Sequence, residues 1–291
     1  MHVAFLGTPE AAVPTLRALV EAGHDVDIVL TRPDRRRGRG NELTPSPVKA
    51  AAASLGLRVA HRLSDLEGVS VERGIVVAYG ALIPGAVLER TPMLNVHFSL
   101  LPRWRGAAPV ERAILAGDKE TGVSVMTLEV GLDTGPVHLE RRVDVDEKTL
   151  SQLLGELSVV GADALVEVLG SASLLANATE QFGDTVYAEK LTKEDFHLTP
   201  SMASELILRT VRLGRAFTFV HGRRLLVETA RRSPEAPVAI GHVEQRGAHV
   251  LLGARGGPVE VLRVRPEGKG SMDALAWWSG AKLDEHSASW A

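Results

Sequence analysis

The chain has 291 residues, 45% of them hydrophobic and 24% charged, with a formal net charge of −3. That length allows two domains or one large one, and the balance excludes a chain disordered throughout. It contains no cysteine, which removes disulfides, thiolate nucleophiles and thiolate metal sites together and suits an intracellular protein. No apolar run approaches the length of a membrane span and no signal-peptide pattern opens the chain, so a cytoplasmic protein without a membrane partner is expected. Charge is unevenly spread. Residues 200–291 hold 13 Lys and Arg against 9 Asp and Glu, a net of +4, and the remainder carries a net of −7. A basic second half points either to a polyanionic partner or to ordinary variation in surface charge.

In chain order, His2 to Leu6 is a short strand-like run that ends at Gly7. Thr8-Pro9 reads as a helix cap and first helical position, followed by Val13, Leu16, Leu19 and Val20 at helical spacing. After Gly23, Val26 to Leu30 makes a second strand, so the chain opens as a βαβ unit. A dinucleotide site needs Gly-x-Gly-x-x-Gly at the first turn. This turn, Gly7-Thr8-Pro9-Glu10-Ala11-Ala12, holds one glycine, so a Rossmann-like α/β fold without a bound NAD or flavin is expected.

Five of the eight residues from Arg32 to Arg39 are arginine: Arg32, Arg35, Arg36, Arg37 and Arg39. They read as a basic loop of about a dozen residues, long for a connection leaving a strand end. Such a loop is either solvated surface or a contact for nucleic-acid phosphates. Ser46-Pro47 then caps a helix over Val48 to Leu55. Gly74 to Ala78 suits a buried parallel strand ending at Tyr79-Gly80. Leu94 to Phe98 is the next strand, followed by a helix from Pro109, a strand from Val123 to Leu128, a strand or hairpin arm from Val137 to Val145, and a long amphipathic helix from Leu150 to Leu169. Domain boundaries are expected at 1–187, with a linker over 188–202 and a second domain over 203–291. Beyond a helix near Met202 to Leu213, five short strand-like runs within about fifty residues suggest a small barrel. Such a basic barrel is a nucleic-acid platform or a domain that only packs on the first. Trp277-Trp278 either anchors a terminal helix in its core or stacks on nucleotides.

Asn95 and His97 alternate on one strand and therefore leave the sheet on one side. In an open α/β sheet, ligands bind at the carboxyl ends of strands. A third polar side chain, Asp133, stands in the glycine-bracketed loop Gly131-Leu132-Asp133-Thr134-Gly135. An amide can donate to a developing oxyanion, an imidazole can move a proton, and a carboxylate can fix the imidazole's tautomer. None of the three is a good nucleophile, and Ser99 lacks the Gly-x-Ser-x-Gly elbow. The set fits direct transfer of a group between two substrates with no covalent enzyme intermediate. The ten histidines include no His-x-x-x-His pair, and no metal ligand set is visible.

Several stretches together resemble the 10-formyltetrahydrofolate-dependent formyltransferases. They are Asn95-Val-His97, Ser99-Leu-Leu-Pro102, Trp104-Arg-Gly-Ala-Ala-Pro109 and Gly131-Leu-Asp133-Thr-Gly135. Gly7-Thr-Pro9, Arg39-Gly40, Pro45-Ser-Pro-Val-Lys49, Val77-Ala-Tyr-Gly80 and Tyr187-Ala-Glu-Lys190 extend the likeness over most of residues 1–193. Within the family the match is closest to members that formylate methionyl-tRNA. The resemblance implies a catalytic trio of Asn95, His97 and Asp133. It implies a folate site formed by Ser99, Leu100, Leu101 and Pro102 with Val77, Ala78, Tyr79, Gly80 and Ile83, and tRNA contact through Arg39 with Arg35, Arg36 and Arg37. It also implies 10-formyltetrahydrofolate as donor, initiator Met-tRNA as acceptor, no metal, a monomer, and an OB-like, tRNA-binding C-terminal barrel. The competing readings are a formyltransferase acting on a sugar-nucleotide or glycinamide ribonucleotide amine, a non-catalytic RNA-binding protein on an enzyme scaffold, and a dehydrogenase.

Overall fold

The computed structural model describes residues 1–37, 42–281 and 288–291. It divides into two compact units. The first comprises Met1–Val110, Lys119–Val145 and Gln152–Glu189; the second comprises Glu111–Asp118, Asp146–Ser151 and Lys190–Ala291. Two short stretches within the first 187 residues thus belong with the second unit. Arg112 pairs with Asp195 at 3.1 Å, and Arg212 donates to the Lys148 carbonyl, so these stretches are tied to the later chain by side-chain bonds with no periodic signature.

The first unit begins with β1 (His2–Gly7), α1 (Val13–Glu21), β2 (Asp25–Leu30), β3 (Arg35–Arg37) and β4 (Glu42–Thr44). It continues with α2 (Pro47–Ser54), β5 (Val59–Ala60), β6 (Arg73–Val77), α3 (Gly85–Arg90), β7 (Met93–His97) and β8 (Arg103–Gly106). Most of α4 (Pro109–Ala116) lies in the second unit, and the first resumes with β9 (Glu120–Thr127), β10 (Val137–Asp144), α5 (Leu150–Gly170), α6 (Ala172–Ala176) and β11 (Val186–Ala188). Seven strands form one sheet in the order β10-β9-β7-β6-β1-β2-β5. Strands β5, β2, β1, β6 and β7 run parallel; β9 and β10 join antiparallel at one edge. The sheet is therefore mostly parallel and Rossmann-like. Residues Val3 to Leu6 are fully buried, as expected of a strand covered on both faces.

Helix α5 packs on β7 and β9 through Gly161. A Cβ at that position would lie 2.7 Å from Val96 Cγ1 and 3.3 Å from Val123 Cγ1, so the close approach requires glycine. Two local expectations are corrected. Thr8-Pro9 does not start the first helix: a 3₁₀ turn begins at Glu10, and the Thr8 hydroxyl donates to the Tyr79 carbonyl at 3.3 Å. The basic stretch is not an open loop either. Arg35 faces Thr44 and Arg37 faces Glu42 across the two-stranded β3/β4 ribbon. The cap expected at Ser46 is present, its hydroxyl accepting from the Lys49 backbone at 3.0 Å.

The second unit contains α7 (Ser204–Arg212), β12 (Phe217–Val220), β13 (Arg223–Arg232), β14 (Val243–Arg246), β15 (His249–Leu252), β16 (Val259–Pro266), β17 (Met272–Asp273) and α8 (Ala274–Ala281). Its strands form an antiparallel sheet in the order β12-β13-β16-β15-β14, with β17 beside β16. The named strands leave this sheet open at β12 and β14. Residues 288–291 hydrogen-bond to both ends of it, Ala291 exchanging two bonds with Phe219 and Trp290 donating to the Gly241 carbonyl. The stretch from Val238 to Ile240 precedes β14 without joining it. Trp277 and Trp278 are buried with Trp290 in the core of this unit, which decides for the anchoring role of the tryptophan pair. Among the described residues, no helix is long and apolar enough to cross a membrane.

Candidate active site

The carboxyl ends of β6 and β7 open into a cleft of about 500 Å³ in the first unit. The strand alternation sets its floor. Asn95 and His97 present their side chains to the cleft, and both are nearly buried, at 8% and 6% exposure. Val96 and Phe98 point the other way, toward α5, where the Phe98 ring edge would stand 3.5 Å from a Cβ at position 161. Phe98 therefore borders the cleft without its ring obstructing it. Asp133 comes from the loop between β9 and β10 and takes a left-handed backbone conformation with φ of 50°.

These three side chains are fixed by few bonds. The His97 Nε2–H donates to the Trp104 carbonyl at 2.9 Å, which leaves Nδ1 as the nitrogen open to chemistry. That Nδ1 lies 3.7 Å from Asp133 Oδ2, whose side chain is 12% exposed. The same Oδ2 accepts from the Gly106 backbone N–H at 2.8 Å. Among the described residues no protein group hydrogen-bonds the Asn95 side chain, so its amide is available to a ligand. An amide donor, an imidazole and a carboxylate thus meet at one end of a cleft whose remaining walls are largely apolar.

The structure brings Ala78, Tyr79, Gly80 and Ile83 to the cleft, joined by Leu82, Leu128, Val130 and Leu132. Leu82 and Val130 are strongly exposed at its mouth. Burial pushes the Tyr79 phenol above its usual range, with Arg32 opposing and Asp65 adding to the shift, so the hydroxyl stays neutral. Val77 does not line the cleft; it is fully buried in the strand. Ser99, Leu100, Leu101 and Pro102 do not line it either. The Ser99 hydroxyl donates to the Arg103 carbonyl at 2.6 Å, and its carbonyl accepts from Ser124. The Leu101 backbone N–H also binds the Ser124 hydroxyl, at 3.2 Å, and Leu100 packs over Gly122. These residues build the turn that delivers β8.

In the basic stretch, Arg32 donates to the Gly80 carbonyl at the cleft edge, while Arg35 and Arg36 are exposed. The root of the ribbon is fastened by Thr31 to Ser46 at 2.7 Å and by Lys49 to Asp34 at 2.8 Å. Arg39 lies outside the described residues, as does the side chain of Arg37. Among the described residues no cluster of His, Asp or Glu could hold a metal ion.

Two family patterns match the chain. The one described as formyl transferase covers residues 1–169, and the formyl transferase C-terminal domain covers residues 190–282. A methionyl-tRNA formyltransferase of Clavibacter sepedonicus is 41% identical over 300 aligned residues, covering 96% of this chain and 97% of that protein. Among solved structures, HypX from Aquifex aeolicus in complex with tetrahydrofolic acid has a TM-score of 0.67 at 18% identity. That match covers 95% of this chain and 46% of HypX, so the chain spans about half the length of that protein. The methionyl-tRNA formyltransferase from Clostridium thermocellum has a TM-score of 0.60 at 16% identity, covering 81% of this chain and 95% of that one. At these identities the structural likeness is one of fold. The match over residues 1–169 and the 41% identity across nearly the whole chain carry the conclusion: the chain belongs to the formyl transferase family.

Proposed function

We propose that this enzyme transfers the formyl group of 10-formyltetrahydrofolate to the α-amino group of methionine on initiator Met-tRNA, for translation initiation. The observation that carries this reading is the 41% identity to a methionyl-tRNA formyltransferase over 96% of the chain. The cleft supports it independently. Its size and apolar walls suit a heteroaromatic donor, and its polar end holds groups suited to acyl chemistry. The donor supplies a formyl carbon on a weakly basic arylamine nitrogen.

The cleft geometry supports the following part for the protein. Asn95 donates from its amide to the formyl oxygen as negative charge gathers there. His97 Nδ1 takes the proton that the attacking amine gives up and returns it to the leaving folate nitrogen, while Nε2–H stays on the Trp104 carbonyl. Asp133 faces that Nδ1 and stabilises the imidazolium between the two proton transfers. The carbon–nitrogen bond to the methionine amine forms, the bond to the folate breaks, and one proton crosses from one nitrogen to the other through His97. Ala78, Tyr79, Gly80 and Ile83 contact the pterin.

Arg39, with Arg35, Arg36 and Arg37, engages the tRNA acceptor end in this reading, the charge of the stretch and the exposure of Arg35 and Arg36 supporting it. Residues 203–291 form an OB-like, tRNA-binding module after a linker at 188–202. The bonds from residues 288–291 to both edges of the open sheet support that architecture. The enzyme acts as a cytoplasmic monomer. The testing experiment compares acceptors: formyl transfer from 10-formyltetrahydrofolate to initiator Met-tRNA, beside an amino-sugar nucleotide and glycinamide ribonucleotide. Preference for either small amine over Met-tRNA would overturn the reading.

A further inference from the structure

Three consecutive residues of β8 reach the catalytic groups by different bonds. The Trp104 carbonyl holds His97 Nε2, and the Gly106 N–H holds Asp133 Oδ2. Between them, Arg105 donates from Nε and Nη2 to the Gln181 side-chain oxygen, at 3.0 and 2.6 Å. The Gln181 amide nitrogen then donates to the Asp133 carbonyl and to the Gly135 carbonyl, each at 2.8 Å. Every hydrogen-bonding position of that amide is used, and its orientation is fixed. A flipped amide would set N–H groups against the guanidinium and an oxygen against two carbonyls.

The loop so held needs holding. Asp133 is a non-glycine residue at a φ of 50°, a conformation that persists only where its surroundings enforce it. Gln181 belongs to neither matched family stretch, since it falls between residues 169 and 190. We infer that Gln181, clamped by Arg105, is a positioning residue that sets the Asp133 carboxylate against His97 during formyl transfer. The inference rests on the proposed reaction. It assigns a catalytic contribution to a segment of irregular chain outside the cleft.

The test uses Gln181→Glu, which keeps the acceptor for Arg105 and replaces both donors to the loop, and Gln181→Met, which keeps the bulk and removes all four bonds. Each is made in the wild-type enzyme and in an Asp133→Asn background, with thermal unfolding measured for all. The expected result is a loss of about tenfold to a hundredfold in kcat. KM for 10-formyltetrahydrofolate and for Met-tRNA should stay within about threefold, as for geometry lost without binding. In the Asp133→Asn background, neither change should lower kcat further, because the residue acts through Asp133. A folded variant with wild-type kcat, or losses that multiply with that of Asp133→Asn, would overturn the inference. If Gln181→Glu does not fold, Gln181→Met decides alone. Transfer by the unmodified enzyme, measured alongside, reports on the reaction itself, so failure of that reading is seen separately.

Discussion

Replacing Asp133 by asparagine removes one charge and almost no volume. The Gly106 N–H requires an acceptor, so the new side-chain oxygen takes the place of Oδ2 and the backbone tie at 2.8 Å survives. What is lost is the negative charge 3.7 Å from His97 Nδ1. Opposite unit charges at that separation attract by about 1 kcal/mol in a water-like medium and about 4 kcal/mol at an effective dielectric constant of about 20. Both side chains are nearly buried, which favours the upper part of that range. In the proposed mechanism the attraction exists only while the imidazole carries the transferred proton, so it counts toward the transition state and not toward substrate binding. At about 1.4 kcal/mol per factor of ten, the rate should fall roughly tenfold to a thousandfold. Rapid-quench single turnover with saturating donor and Met-tRNA measures this step without product release. A single-turnover rate within about threefold of wild type would refute the role given to Asp133.

Four further outcomes are expected. His97→Ala should lower the single-turnover rate by about a hundredfold or more, and a near-normal rate would remove the imidazole from the chemistry. Arg39→Ala should raise KM for Met-tRNA while folate affinity, followed by intrinsic fluorescence, stays unchanged; equal loss for both substrates would contradict the RNA role of the arginine stretch. Gly161→Val puts side-chain atoms where Val96 and Val123 already pack, so urea unfolding should show a loss of about 1–3 kcal/mol. An unchanged midpoint would mean that α5 can move away from β7 at no cost. In the second unit, hydrogen bonds from Arg231 and then from His249 hold the Glu260 carboxyl below its usual range, against the opposing effect of its burial. A depressed carboxyl stabilises the fold above its unfolded pKa and loses that contribution as pH falls through its folded value. Glu260→Gln should therefore flatten the acid limb of stability against pH, and an unchanged limb would show that Glu260 does not contribute.

The legible parts of this molecule are those governed by periodicity or by a local bond. Asn95 and His97 could be placed on one side of a strand because alternate residues share a face, and Ser46 could be read as a cap because its hydroxyl serves a backbone N–H three residues away. Asp133 was marked by the glycines around it. Thr8 looks like a cap in sequence, but its hydroxyl goes to Tyr79, a partner 71 positions along the chain. Ser99 to Pro102 look like a binding loop in sequence, yet Ser99 and Leu101 spend their polar groups on Ser124 and Arg103 inside the turn. The supports of the site were least visible. A carbonyl at Trp104 and an N–H at Gly106 carry no side-chain signature, and Gln181 sits in irregular chain where no period points to it. The arginine stretch revealed its charge through composition, but not its pairing into a ribbon, because three-residue strands are too short for an alternation pattern.

The most direct test follows the formyl group itself. The purified enzyme is incubated with 10-formyltetrahydrofolate carrying a labelled formyl carbon, first alone and then with initiator Met-tRNA. No label is expected on the protein in the first step and one labelled formyl group per methionyl-tRNA in the second, with transfer strongly reduced in an Asn95→Ala variant. Label retained covalently on the enzyme, or full transfer by the Asn95→Ala variant, would contradict direct transfer at the Asn95, His97 and Asp133 site.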